Sequence, residues 1–166
     1  FGHGHITKIC IRKFLELGNE VLLCCPKENL GLFNSYKLSK LDIDFEIYSD
    51  FNDEHLIKRI IDFAPDYIYS IIFSYKLPNK VIQLAKIMAL NIHPSLLPEY
   101  RGSNPFFWVV RKGEKISGIT VHKLTQEWDS GPIIYQKKFP LSEFETIGTY
   151  ATRVEFYCGY VIEDLQ

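Results

Sequence analysis

Residues 52–92, NDEHLIKRIIDFAPDYIYSIIFSYKLPNKVIQLAKIMALNI, decide the class of fold. Asn52 offers a side-chain cap ahead of Leu56, Ile57, Ile60, Ile61 and Ala64, a single stripe at helical spacing that Pro65 stops. Residues 67–73, rich in Ile and Tyr, predict a strand. Pro78 suits the first turn of a helix running through Lys86, and residues 87–92 predict a strand that runs into a loop.

The same alternation extends on both sides. Toward the amino end, Ile6, Cys10, Phe14 and Leu17 recur at helical spacing, and Gly18 supplies the left-handed residue that commonly closes a helix. Residues 21–25 form an apolar run ended by Pro26, as expected of a strand covered on both faces, and residues 44–48 predict a weaker strand. Toward the carboxyl end, a short helix over 105–112 stops at Gly113. Strands at 118–124 and 133–139 flank a turn-rich segment at 127–132, and Thr146 caps a final helix carrying Ile147, Tyr150, Val154, Cys158 and Val161. Strands alternating with helices predict an α/β fold: an open, mostly parallel sheet with helices on both faces and sites at the carboxyl ends of strands.

The 166 residues are 46% hydrophobic and 23% charged, which excludes disorder and predicts one globular domain over 1–166. Phe1 with Gly2-His3-Gly4 behind it reads as the sequel to a strand that has been cut away, so both ends are provisional. A net charge of −1 gives no basic footprint for nucleic acid, and a small partner is expected. No apolar run approaches the ~18 residues of a membrane span, and no signal-peptide pattern opens the chain, so the expected location is cytoplasmic without a membrane partner. Cys10, Cys24, Cys25 and Cys158 form no C-x-x-C pair and are expected as reduced core residues. The five histidines show no metal-ligand spacing, so no metal is expected. A third glycine of a dinucleotide loop beginning at Gly2 would fall on Thr7, which argues against a nicotinamide cofactor.

The densest polar cluster lies where a strand becomes a loop, at residues 91–102. On extended backbone Asn91 and His93 project to the same side about 7 Å apart, so both can address one reacting atom. An amide offers N–H donors to a developing oxyanion, and an imidazole exchanges protons near neutral pH. Asp129, in the turn before a strand, is a fitting partner for His93. The bland alternative, three ordinary turn residues, stands beside this on spacing alone.

The combined string is more specific. Asn91-x-His93-Pro94-Ser95-Leu96-Leu97-Pro98 is followed by Tyr100-Arg101-Gly102, Asn104-Pro105, Gly118-x-Thr120-x-His122 and Asp129-Ser130-Gly131-x-Ile133. Over residues 68–141 this resembles the 10-formyltetrahydrofolate-dependent formyltransferases. The resemblance implies a Rossmann-like catalytic domain, a catalytic triad of Asn91, His93 and Asp129, and 10-formyltetrahydrofolate as formyl donor. It also implies a folate site bordered by Ser74, Tyr75, Lys76 and Leu77 and by Ser95, Leu96, Leu97 and Pro98.

Formyl transfer to a primary amine needs an oxyanion donor, a proton acceptor for the amine and a proton donor for the leaving nitrogen. Asn91 and protonated His93 are expected around the oxyanion, with Asp129 favouring the charged ring. His122 is expected in a structural hydrogen bond ahead of substrate contact, and Phe106, Phe107 and Trp108 in the core ahead of a stacking role. Arg101 and Lys76 are expected as solvated charges.

The run Tyr-Arg-Gly-Ser-Asn-Pro-Phe-Phe-Trp at residues 100–108 looks most like sugar N-formyltransferases, which implies a nucleotide-linked amino sugar as acceptor. Methionyl-tRNA formylation is the alternative, glycinamide-ribonucleotide formylation the third, and a hydrolase would use the same residues on water. A folate- or nucleotide-binding fragment without turnover is the non-enzymatic alternative.

Overall fold

The computed structural model describes residues 1–165. The element order is α1 (His5–Glu16), β1 (Leu22–Pro26), α2 (Leu30–Ser35), β2 (Asp44–Tyr48), α3 (Glu54–Phe63), β3 (Tyr67–Ile71), α4 (Asn79–Ile82), β4 (Met88–His93), α5 (Pro105–Lys112), β5 (Ile116–Lys123), β6 (Ile133–Pro140) and α6 (Ile147–Asp164). Gly18 (φ +81°) follows α1 and donates its N–H to Leu15 O at 2.9 Å, so the chain leaves the helix where the sequence predicts. Asp53, rather than Asn52, caps α3, accepting from His55 N and Leu56 N.

β1 and β2 pair in parallel, β3 pairs in parallel with β4, and β4–β5 and β5–β6 are antiparallel. The parallel pairs come from strand–helix–strand crossings, and the antiparallel half follows the chain after α5. Phe1 and Gly2 lie between the two ladders. Phe1 N donates to Tyr69 O (2.6 Å), Ile71 N to Phe1 O (3.0 Å) and Gly2 N to Cys24 O (3.4 Å).

Helices cover both faces of this α/β sheet. On one, Cys10 and Phe14 of α1 and Val154, Cys158 and Val161 of α6 pack on Leu90, Ile92, Ile119 and Val121. On the other, Leu56 and Ile60 of α3 and Val81 of α4 pack on Ile68 and Ala89. Burial of these aliphatic side chains, each worth about 1.5–3 kcal/mol, is the main force holding the layers together. All four cysteines are buried and free. Burial pushes the thiols of Cys24 and Cys25 up to about 11.

Two local expectations need correction. The helix expected over 78–86 is only the single turn of α4, because Lys86 N and Ile87 N donate to Pro65 O and Asp66 O (2.9 and 2.8 Å) instead of continuing the helical ladder. Between β1 and β2 the chain forms two 3-10 turns, Lys27–Asn29 and Leu38–Lys40, around α2. The sequence reading assigned nothing there, for want of a periodic apolar pattern.

Candidate active site

β4 carries the site. Its even residues Leu90 and Ile92 face α1 and α6, so Ala89, Asn91 and His93 face the other side, and β4 ends there at the mouth of a cavity of about 760 Å³. Antiparallel pairing sets Asn91 opposite His122 and His93 opposite Thr120. A register shift at Val121/His122 lies beside the site on the β6 edge.

Asp129 closes the group from the β5–β6 loop, at φ +48°, a conformation open to Asp because its short polar side chain bonds locally. Its Oδ2 accepts from Gly102 N (2.8 Å) and lies 3.5 Å from His93 Nδ1, and its Oδ1 accepts from Asn91 Nδ2 (3.1 Å) and lies 3.3 Å from His122 Nε2. Asn91, His93 and Asp129 are 8%, 5% and 7% exposed, so these charges and dipoles act with little water between them.

The two rings have assignable hydrogens. His93 Nε2–H donates to Tyr100 O at 2.9 Å, which leaves Nδ1 to exchange a proton beside Asp129. His122 Nδ1–H donates to Lys123 O at 2.9 Å, so in the neutral ring Nε2 accepts from Asn91 Nδ2 at 3.0 Å. Both N–H groups of Asn91 are therefore engaged. The one held by the His122 ring nitrogen is bound less strongly than the one held by the Asp129 carboxylate, and it is the one that can turn to an oxyanion.

Burial lowers the His93 pKa below its ordinary value and outweighs the nearby Asp129 charge and the Tyr100 carbonyl, which raise it. Desolvation at the strand end thus works against the protonated ring that the charge of Asp129 favours. At Asp129, burial works to raise the pKa. The nearby His122 and His93 rings and the Gly102 N–H prevail, and the carboxyl stays ionised, below its ordinary range.

Ser74, Tyr75, Lys76 and Leu77, which the resemblance implies beside the folate, line the cavity together with Phe73. Ser95, Leu96, Leu97 and Pro98 do not. That loop is stitched down onto β5 and β6: Thr120 Oγ1 donates to Ser95 O (2.7 Å) and accepts from Leu97 N (3.0 Å), Ser95 Oγ donates to Glu99 O (3.0 Å), and Gln136 Nε2 donates to Leu97 O (2.8 Å). Pro94 is the last residue of the segment in the wall.

The sequence reading put structural bonding first for His122 and core packing first for Phe106. His122 is part of the polar cluster, and Phe106 is in the cavity wall with Trp128. The alternation Thr120-x-His122 was the legible signal for His122. Phe107 and Trp108 are exposed rather than core. Among the described residues no group of three or more His, Cys, Asp and Glu could hold a metal ion.

Gly131 fixes the Asp129 turn by close approach, because a Cβ there would sit 1.8 Å from Lys123 O. Gly131→Ala is expected to displace the turn and cost about 1–3 kcal/mol, read as a lowered midpoint in thermal melts monitored by circular dichroism.

The chain matches the Formyl transferase family over residues 32–161. It is 30% identical over 151 residues to GDP-perosamine N-formyltransferase of Brucella melitensis, covering 87% of this chain and 57% of the relative. It is 37% identical over 93 residues to methionyl-tRNA formyltransferase of Enterococcus faecalis, covering 56% of this chain and 30% of the relative. The chain thus spans little more than half the length of the curated relatives it matches, or less. Phosphoribosylglycinamide formyltransferase from Bacillus halodurans shares the fold, with TM-score 0.77 at 20% identity, covering 96% of this chain and 87% of that one. With a family match that takes in the strands, loops and triad just described, the chain belongs to the formyl transferase family.

Proposed function

We propose that the chain is the catalytic domain of an enzyme that moves a formyl group from 10-formyltetrahydrofolate to a primary amine, with a nucleotide-linked amino sugar as acceptor. The observation that carries the reading is the buried Asn91–His93–Asp129 cluster at the cavity mouth.

The cavity suits such a donor. Its volume falls within the roughly 300–1,000 Å³ usual for small-molecule sites, and Phe73, Leu77 and Leu124 interleave with Ser74 and Thr125 in its wall. The folate supplies the formyl group as an aryl amide. His93 Nδ1 takes the proton of the attacking amine, Asp129 stabilises the imidazolium that results, and the same nitrogen returns the proton to the leaving amine nitrogen. Tyr100 O holds Nε2–H throughout and fixes the ring. Asn91 turns one N–H to the oxygen on which negative charge develops.

Two observations support the sugar as acceptor: the perosamine relative aligns over 87% of this chain, and the charges are balanced, with 19 Lys+Arg against 20 Asp+Glu. A tRNA acceptor is the second reading, favoured by the 37% identity to the methionyl-tRNA relative. Full-length protein, assayed side by side on amino-sugar nucleotides, glycinamide ribonucleotide and charged initiator tRNA, separates them. Turnover of an amino-sugar nucleotide with a modest salt dependence is expected. A tRNA acceptor engages many phosphates and loses orders of magnitude in affinity from low to physiological salt. Formylation of tRNA without sugar turnover would reject the sugar, and formate release with no acceptor consumed would point to hydrolysis.

A further inference from the structure

Among the described residues, three hydrogen bonds hold the segment Tyr100-Arg101-Gly102. Two end on the triad: Tyr100 O accepts from His93 Nε2 at 2.9 Å, and Gly102 N donates to Asp129 Oδ2 at 2.8 Å. The third runs the other way, from the Tyr100 hydroxyl to Glu114 Oε1. It ties this segment to the framework of the domain.

The framework end is firm. α5 closes on Gly113 (φ +67°), with Gly113 N donating to Val110 O at 3.0 Å and Glu114 N to Val109 O at 3.4 Å, the paired bonds that fix the first residues beyond a helix. Glu114 is thus set between the end of α5 and the start of β5. The Tyr100 ring packs against the core that α1 and α6 build on the sheet. Burial together with the Glu114 carboxylate raises the Tyr100 pKa to about 12, so the hydroxyl keeps the hydrogen it donates.

The backbone of Tyr100 sits where an unaided chain would not put it. Its φ of +60° is left-handed, a conformation that a bulky residue rarely adopts and that persists only where the surroundings over-determine it. Here the packed ring and the bonded hydroxyl do so, and the result is a carbonyl aimed at His93.

That carbonyl decides a tautomer. With a single ring hydrogen, His93 can donate from Nδ1 toward Asp129 Oδ2 or from Nε2 toward Tyr100 O. At 2.9 Å against 3.5 Å, the carbonyl is at hydrogen-bonding distance and the carboxylate is at its limit. Were Tyr100 O to draw back, the Asp129 charge would take the hydrogen to Nδ1 and leave that nitrogen unable to accept another.

We infer that Tyr100 and Glu114 are positioning residues: the bond between their side chains holds the Tyr100 carbonyl on His93 and, through Gly102, the backbone N–H on Asp129, and so keeps Nδ1 of His93 free to accept a proton. Neither residue lines the cavity, so both act through the triad rather than on a substrate. The inference rests on the proposed role of His93 as proton carrier, and its first readout needs no substrate.

The test uses the isotope-labelled full-length protein. Long-range proton–nitrogen NMR reads the His93 ring nitrogens, and steady-state kinetics read formyl transfer from 10-formyltetrahydrofolate to an amino-sugar nucleotide. The unaltered protein is expected to carry its His93 hydrogen on Nε2. Tyr100→Phe loses only the hydroxyl, and Glu114→Ala loses the acceptor at the other end of the same bond. Each is expected to populate the Nδ1–H form and to lower kcat roughly ten- to a hundredfold with KM within about twofold, the scale on which displaced catalytic groups lose rate. Because both act through one bond, the double variant should be no slower than the slower single one, and Glu114→Gln, which keeps an acceptor oxygen, should retain the Nε2–H form. A hydrogen on Nδ1 in the unaltered protein, or a ring that keeps its Nε2–H form in both single variants, would overturn the inference. So would single losses that multiply in the double variant. A tautomer shift in a protein that transfers no formyl group would uphold the positioning and reject the role of His93 in formyl transfer.

Discussion

His93→Ala is expected to lower formyl transfer at least about a hundredfold while leaving affinity for the folate within several-fold, since proton transfer by a positioned side chain contributes about 10²–10⁴. The separation arises because, in the proposed reaction, His93 at the end of β4 takes the proton, whereas the segment Ser74, Tyr75, Lys76 and Leu77 supplies a different wall of the cavity. Steady-state assays give turnover, and titration with the less reactive 5-formyl isomer gives binding. Turnover near that of the unaltered protein would remove His93 from the chemistry. The lowered His93 pKa also predicts an acid limb in the rate profile below the ordinary histidine range, because a ring already protonated at Nδ1 cannot accept the amine proton.

Asp129→Asn is expected to reduce turnover and to move that acid limb to still lower pH. The Asp129 charge is what raises the His93 pKa against burial, so its loss lets desolvation act unopposed by a carboxylate. The stability consequence has a definite sign. A histidine whose pKa is lowered by folding binds its proton more readily unfolded, so stability falls as pH drops from the ordinary histidine range through the folded value, and in the variant that loss extends further. Asp129 itself, held ionised in the fold, contributes stability above its ordinary pKa that is lost as pH falls through the lowered one. An NMR titration of His93 unchanged by the substitution would show that Asp129 is not its partner.

Much of this was legible in the sequence because the informative elements are periodic or punctuated. The stripe from Leu56 to Ile60 and the break at Pro65 define α3, and the two-residue step from Asn91 to His93 puts both on one face of β4. The segments around α2 carry no repeating apolar pattern, and only packing of Phe33 and Leu38 beneath β1 gives them shape. α4 stops early for a tertiary reason, since the amides that would extend it bond to the loop at Pro65 and Asp66. In the site, the sequence supplies the residue types of the triad. It does not show that Ser95 and Leu97 are drawn away from the cavity by Thr120 and Gln136, nor that desolvation governs His93. Both depend on which strands lie opposite, a long-range property of the chain.

The last helix bears on where this polypeptide can be cut. Tyr150 of α6 donates its hydroxyl hydrogen to Pro94 O at 2.8 Å, immediately after His93, and the Tyr150 hydroxyl oxygen itself lies 2.7 Å from Ser117 Oγ. Split-protein versions opened between β6 and α6 would detach that tether from β4, so the two pieces should regain activity only on reassociation. Openings in the exposed turn of residues 142–144 test this most directly, because a cut there leaves both β6 and the Thr146 cap of α6 whole.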